Sequence, residues 1–194
     1  MEIIKFASSA QLTTSYGEFI IKVYIDLVNH CKEHVALIAA NTDFKKTVNV
    51  RVHSSCLTGD VFSSLRCDCR QQLEHSLKLV SKEGGVIVYL DQEGRDIGIA
   101  NKIKAYKLQE EGLDTVEANL HLGLPIDERS FDIAAAILLN LQINDINLLT
   151  NNPKKIKVLE NWGIKVNRQV IPVCQHPLTQ NYLKTKKEKM HHLL

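Results

Sequence analysis

Three of the chain's five cysteines fall within one short stretch, RVHSSCLTGDVFSSLRCDCRQQ, at residues 51–72. Cys56, Cys67 and Cys69 follow the spacing C-x10-C-x-C. Three thiolates so close in sequence suit a soft metal, and zinc is the commonest. A structural zinc site closes with four protein ligands. A catalytic one keeps the fourth position for water, which the metal makes nucleophilic near neutral pH. The residues alone leave both uses open, because His53 lies close enough before Cys56 to serve as a fourth ligand. A disulfide within the cluster is the remaining reading, and nothing in the sequence points to an oxidising compartment.

The odd cysteine count, with Cys31 and Cys174 far from the cluster, suits a reducing cytosol better than a disulfide scaffold. No basic N-terminal region leads into an apolar core, so no signal peptide is expected. No apolar run reaches the ~20 residues of a membrane span. The expected location is cytoplasmic. The length of 194 residues allows one large domain or two small ones, and a 44% hydrophobic content fits a globular protein with a core; the expected organisation is a single domain over 1–194. A net charge of +2 makes the whole molecule no polyanion magnet.

Around the cysteines, strand and helix patterns alternate. Phe19, Ile21, Val23, Ile25 and Leu27 share one strand face, with Lys22, Tyr24 and Asp26 between them. Residues 34–40 form an apolar run of strand length. In 47–53, Val48, Val50 and Val52 face one way, and Asn49, Arg51 and His53 the other. That sets a cation and an imidazole beside the cysteines, unless the face is an ordinary solvated one. Leu73, Leu77 and Val80 predict an amphipathic helix over 70–82, ended by Gly84-Gly85.

Residues 86–90 (VIVYL) read as a strand covered on both faces. They lead into DQEGRDIG, 91–98, at the strand end where ligands bind in open α/β sheets. Its glycines allow close backbone approach. Glu93 could accept paired N–H bonds from a base such as guanine, and Arg95 could hold a phosphate. A turn with surface charges has the same composition.

A helix over 97–111 places Ile99, Ile103 and Tyr106 on one stripe, where Tyr106 reads as a packed aromatic. Residues 113–128 show no clear period, and long loops of this kind are often functional. Asp127 suits the N-cap of a helix over 129–141. After a short strand at 146–149, Asn152 and Pro153 open a helix that stops at Gly163. Thr150, Lys154 and Lys155 stand beside its first N–H groups, as a phosphate site or simply as a well-capped basic helix. A last strand over 166–173 precedes a basic helical tail from Tyr182, whose charges read as a solvated face. The class is therefore α/β, a three-layer α/β/α arrangement with a mixed sheet and a β-rich N-terminal part.

Read together, RVHS-x-CLTGD, SLRCDC-x-x-QL, QEGR-x-IG, NKI-x-AY-x-LQ-x-x-G-x-DTVEAN, D-x-R and LLTNNPKK resemble GTP cyclohydrolase II over nearly the whole chain. The tail sequence TK-x-EKM-x-HLL fits as well. The resemblance implies zinc-dependent hydrolysis of GTP that opens the imidazole ring, releases formate and pyrophosphate, and begins riboflavin biosynthesis. It implies that Cys56, Cys67 and Cys69 hold the Zn²⁺, with water as fourth ligand. Tyr106 would lie near the guanine ring, with Asp127 as proton acceptor and Arg129 as nucleophile toward the α-phosphate. GTP contacts would come from Arg51, Val52, His53, Ser54, Ser55, Gln72, Glu93, Gly94, Arg95, Thr115, Thr150 and Lys155. Mg²⁺ with the triphosphate and a homodimer are also implied. Because a protonated arginine is a poor nucleophile, an electrostatic role for Arg129 is the alternative. The chain reads as the stand-alone form, without the companion domain of fused proteins.

Ser55, Arg70 and Asp91 stand where this family commonly has Glu, Gly and Arg. The last two make a swapped charge arrangement if they touch. These departures support a second reading, a relative that binds GTP or releases pyrophosphate without opening the ring. A zinc-stabilised nucleic-acid-binding module is a third, opposed by the low net charge and an aromatic content of 6%. Neither nucleic acid nor membrane is an expected partner.

Overall fold

The computed structural model describes residues 2–29, 32–173, 176, 179–188 and 192–193. Cys31, Cys174 and part of the TK-x-EKM-x-HLL run lie outside the described residues. The strands are β1 (Ile4–Thr14), β2 (Gly17–Asp26), β3 (Glu33–Ala39), β4 (Val48–Ser54), β5 (Val86–Leu90), β6 (Asp145–Leu149) and β7 (Lys165–Gln169). The helices are α1 (Cys69–Glu83), α2 (Gly98–Glu110), α3 (Thr115–His121), α4 (Asp132–Asn140), α5 (Pro153–Asn161) and α6 (Gln180–Glu188). A π-helical turn, Leu57–Val61, follows β4.

The seven strands form one sheet in the order β1-β2-β3-β5-β4-β6-β7. From β1 to β5 the pairing is antiparallel, and from β5 through β4 and β6 to β7 it is parallel. This is the mixed sheet that the β-rich start predicts. Under one face, Leu73 and Leu77 of α1 pack with Phe19, Ala39 and Ile87. Under the other, Ile137 and Leu138 of α4 and Leu159 of α5 pack with Val50, Val52, Val86, Val88 and Ile146. Because β5 is covered on both sides, VIVYL carries no polar position.

The crossover through α1 takes the chain from β4 to β5 on one side, while α5 takes it from β6 to β7 on the other. Connections thus leave the adjacent strands β4 and β6 in opposite directions. A crevice at their C-terminal ends is where such sheets bind ligands.

Several boundaries differ from expectation. β1 lacks an alternating pattern because, at the sheet edge, residues 5–11 are all exposed. In β2 the side that alternates with the apolar stripe carries buried residues, Tyr24 and Asp26. Tyr24 is buried in the main core, and its hydroxyl donates to Asn140 Oδ1 at 3.1 Å. Residues 113–128 hold a helix, α3, opened by a reciprocal capping box. Asp114 accepts from the N–H groups of Val116 and Glu117, and Glu117 accepts from that of Asp114. The D-x-x-E spacing carried that signal. Asp127 is not the N-cap of α4, which begins at Asp132. β7 ends at Gln169 rather than 173.

Candidate active site

The metal loop is built by the π-helical turn. Its wide winding, with Phe62 N–H donating to Leu57 O at 3.2 Å, turns the chain back after Cys56 so that Cys67 and Cys69 arrive beside it. The sulfurs of Cys56 and Cys67 lie 3.8 Å apart, and all three sulfurs lie within 4.8 Å of one another. Zinc–thiolate bonds of ~2.3 Å at tetrahedral angles require sulfurs ~3.8 Å apart, so the cluster fits zinc. Gly59 keeps it open, since a Cβ there would come within 2.9 Å of Cys67 Sγ and 3.1 Å of Cys56 Sγ.

The protons on this cluster are shared unequally. Contacts with Cys67 and Cys69 push the Cys56 pKa strongly down, helped by the Lys102 ammonium at 3.2 Å. Cys67 is pushed up to about 11 and Cys69 is also raised, first by those same contacts. Zinc binds thiolates, so metal binding at this cluster would release thiol protons.

His53 does not join the sulfurs. Its Nε2 meets Asp60 at 3.1 Å, and burial lowers its pKa, so the neutral ring donates there. That removes the structural four-ligand reading among the described residues. Asp60 is a buried hub that sequence reasoning missed. Besides His53 it accepts from Cys56 N–H at 3.0 Å and Tyr89 O–H at 2.9 Å. The carboxylate so fixes the backbone of the first cysteine, and its place in CLTGD was the available signal.

Arg51 and His53 are buried, so of the two readings left open for that face of β4 the ordinary solvated one does not hold. Arg51 donates to Leu149 O at 3.0 Å and to Gln72 Oε1 at 2.7 Å, thereby tying β4, β6 and α1 together. Burial lowers its pKa to about 10, against the pull of Asp68, Cys69 and Asp60. Val52 puts its side chain into the core and offers only its carbonyl, which accepts from Lys155 Nζ at 2.7 Å.

Two cavities meet at this place. The larger, about 650 Å³, is lined by Ser54, Ser55, all three cysteines, Glu93, Gly94, Tyr106 and Thr115, among others. That size suits a small-molecule ligand. The smaller, about 70 Å³, is lined by Arg51, His53, Gln72, Thr150 and Lys155. Arg95 and Arg129 line both. Of the site residues that the family resemblance implies, all but the core-facing Val52 and Asp127 line one cavity or both. Asp127 sits directly behind the wall, accepting two bonds from the Arg129 guanidinium, at 2.8 Å to Nε and 2.7 Å to Nη2, and one from its backbone N–H at 3.2 Å. Burial raises the Asp127 carboxyl, but those bonds and the Arg129 charge outweigh it and leave its pKa below the usual value.

The smaller cavity gathers positive charge. Lys155 is pushed well below its usual value by burial and then by Arg51, Arg129 and Lys186. One buried N–H group of Arg95 has no acceptor among the described residues. Such a cluster has the charge to hold an anion. Lys154, expected to share it, points to solvent instead.

In the larger cavity, Tyr106 is no simple core aromatic. The Arg66 guanidinium lies 4.1 Å from its ring centre, and burial raises its pKa. Glu93 accepts from Leu57 N–H at 2.5 Å, Gly94 N–H at 2.8 Å and Lys102 Nζ at 2.8 Å. Lys102, which bridges Glu93 to Cys56, and Arg66 were both missed, although Lys102 lies one helical turn before Tyr106. Of the departures, Ser55 Oγ accepts from Gln92 N–H at 3.0 Å. Arg70 pairs with Glu74 at 2.7 Å and not with Asp91. On the tail helix Lys184, Lys187 and Glu188 are exposed, as a solvated face requires, but Lys186 departs from it, buried and paired with Asp68.

Comparison with known proteins agrees with this geometry. A GTP cyclohydrolase-2 of Campylobacter fetus is 50% identical over 194 residues, covering 100% of this chain and 97% of the relative. One from Picrophilus torridus is 48% identical, covering 98% and 100%. A riboflavin biosynthesis protein, RibBA, of Endomicrobium trichonymphae is 50% identical over 188 residues, and this chain spans 46% of its length. Among solved structures, RibBX, a two-domain 3,4-dihydroxy-2-butanone 4-phosphate synthase from A. baumannii, has a similar fold. Its TM-score is 0.51 at 17% identity, over 90% of this chain and 41% of that one. The family profile described as GTP cyclohydrolase II matches residues 5–171, and with near-full-length relatives at about half identity, the chain belongs to the GTP cyclohydrolase II family.

Proposed function

We propose that the protein hydrolyses GTP, opening the imidazole ring of guanine with loss of C8 as formate and releasing pyrophosphate, as the first step of riboflavin biosynthesis. The observation that carries this reading is the meeting of the two cavities, one holding a three-thiol cluster and the other a basic cluster. A nucleoside triphosphate has that polarity, a base at one end and an anion at the other. Zinc held by Cys56, Cys67 and Cys69 would supply the Lewis acidity that makes water nucleophilic near neutral pH.

The chain's own groups take the remaining roles. Tyr106, backed by Arg66, offers a ring face to guanine. Glu93, already oriented by three donors, accepts from the guanine N–H groups. The positive φ of Gly94 lets the backbone approach beside it. Ser54, Ser55 and Thr115 complete the base and sugar wall. Arg51, Arg95, Thr150 and Lys155 face the phosphates, which would bring Mg²⁺, and Gln72 holds Arg51 in place. As a nucleophile Arg129 must first lose a proton, and an Asp127 carboxyl held below the usual range is a weak acceptor. The two-point pairing favours Arg129 as an oriented cation at the α-phosphate, positioned by Asp127.

The apolar side chains of Val61, Phe62 and Leu65, exposed on the metal loop, support a homodimer that covers them. No helix among the described residues is long and apolar enough to cross a membrane. The test is incubation of zinc-replete protein with Mg²⁺ and GTP carrying ¹³C at C8, with labelled formate and pyrophosphate measured together. Equal amounts are expected. Pyrophosphate without formate would favour the relative that leaves the ring closed.

A further inference from the structure

One wall of the small basic cavity comes from the far end of the chain. Lys186 and His192 line it together with Arg51, Arg95, Arg129 and Lys155. Lys186 Nζ donates to Asp68 Oδ1 at 2.7 Å, and the other Asp68 oxygen accepts from Gln72 Nε2 at 2.7 Å. Asp68 lies between two cysteines of the metal loop. His192 N–H donates to Lys186 O at 3.0 Å, and Leu193 N–H to Asn151 O at 2.8 Å. Arg168 Nη2 donates to Leu193 O at 2.8 Å. The tail is thus fastened both to the metal loop and to the turn that opens α5. A solvated charged helix needs no such fastening. It costs free energy to bury a tail lysine against other cations, and burial together with Lys186, Arg129, Lys155 and Arg95 holds His192 down to about 3. An anion in the cavity removes that repulsion.

We propose that the C-terminal segment is a functional wall of the phosphate site and that Lys186, aimed by Asp68, binds the phosphate chain of the substrate directly. The identity of that substrate rests on the GTP reading above. The bond to Asp68 holds the ammonium at the wall of the cavity that it shares with the other basic groups.

Replacing Lys186 alone would strand a buried carboxylate. The decisive variant is therefore Lys186→Met combined with Asp68→Asn, which removes both charges and leaves Gln72 a partner. The probe is Mg²⁺-pyrophosphate, titrated calorimetrically into the full chain. The double variant should bind it about tenfold or more weakly than wild type, the loss of one charge-assisted bond. KM for GTP should rise more than kcat falls, with the melting temperature close to wild type. Lys186→Arg, which keeps the charge opposite Asp68, should retain binding and guards against a folding defect in the double variant. Unchanged pyrophosphate affinity in the double variant overturns the proposal and leaves Lys186 a strut. Wild-type protein that binds pyrophosphate through Lys186 yet forms no formate upholds this wall while sinking the ring-opening reading. Formate from both proteins at the same KM sinks only the wall.

Discussion

Gly59→Ala isolates the metal loop from the rest of the site. The backbone of Gly59 is outside the left-handed region, so alanine meets no strain there. Its Cβ would instead lie 2.9 Å from Cys67 Sγ, 3.0 Å from Cys69 Cβ and 3.1 Å from Cys56 Sγ. Ordinary carbon–sulfur contacts are several tenths of an ångström longer, so at least two sulfurs must move. Overpacking of this kind costs about 1–3 kcal/mol. Charged to the metal-bound state, where the sulfurs are held by the ion, that is about a 5- to 150-fold loss of zinc affinity. Without metal, the thiols can rotate away and stability should fall less. Competition with a chromophoric chelator gives the affinity, and urea unfolding of the metal-free protein gives the stability. Wild-type zinc affinity in folded Gly59→Ala protein would refute the claim that the three sulfurs converge on one ion.

Four further outcomes follow. Asp60→Ala strands the Cys56 N–H, the His53 ring and the Tyr89 hydroxyl, and should cost about 1–3 kcal/mol per stranded donor in urea unfolding; a change under about 0.5 kcal/mol would deny it the hub role. His34 and His53 have folded pKa values lowered by burial, so below 6.5 the unfolded chain binds more protons. Stability should therefore fall as pH drops below 6.5, which a series of urea midpoints between neutral and mildly acid pH would show; a flat series contradicts it. Arg129→Lys loses the two-point pairing with Asp127 and should lower kcat by tenfold or more, with no covalent nucleotide adduct on the wild-type arginine by mass spectrometry. A double-mutant cycle between Arg70 and Asp91 should give a coupling near zero, because Arg70 is engaged with Glu74.

Where one short-range rule governed a segment, its structure was legible in the sequence. The apolar run of β5, the amphipathic period of α1 and the Asn152-Pro153 start of α5 all depend on local pattern, and each is found as read. The clustering of the cysteines also survived, because few residues separate them. What failed was any reading that required knowing what covers a face. Alternation in β4 separates Arg51 and His53 from the valines but cannot say that α1 closes over them. The same blindness left Tyr24 unplaced in the core and made Lys186 part of a solvated face. Asp60 and Lys102 act through contacts made across the fold, to Tyr89 and to Cys56, and neither contact leaves a periodic trace. Asp127 shows the reverse case, where a good capping residue is claimed by a closer partner, Arg129.

The central claim is that ring opening depends on the cysteine cluster while nucleotide binding depends on the basic cavity. It is tested most directly by measuring formate and GTP binding side by side in wild-type and Cys56→Ser protein. The account predicts equal formate and pyrophosphate from wild type, and a serine variant that still binds Mg²⁺-GTP but forms no formate. Formate from the Cys56→Ser protein at the wild-type rate would contradict it.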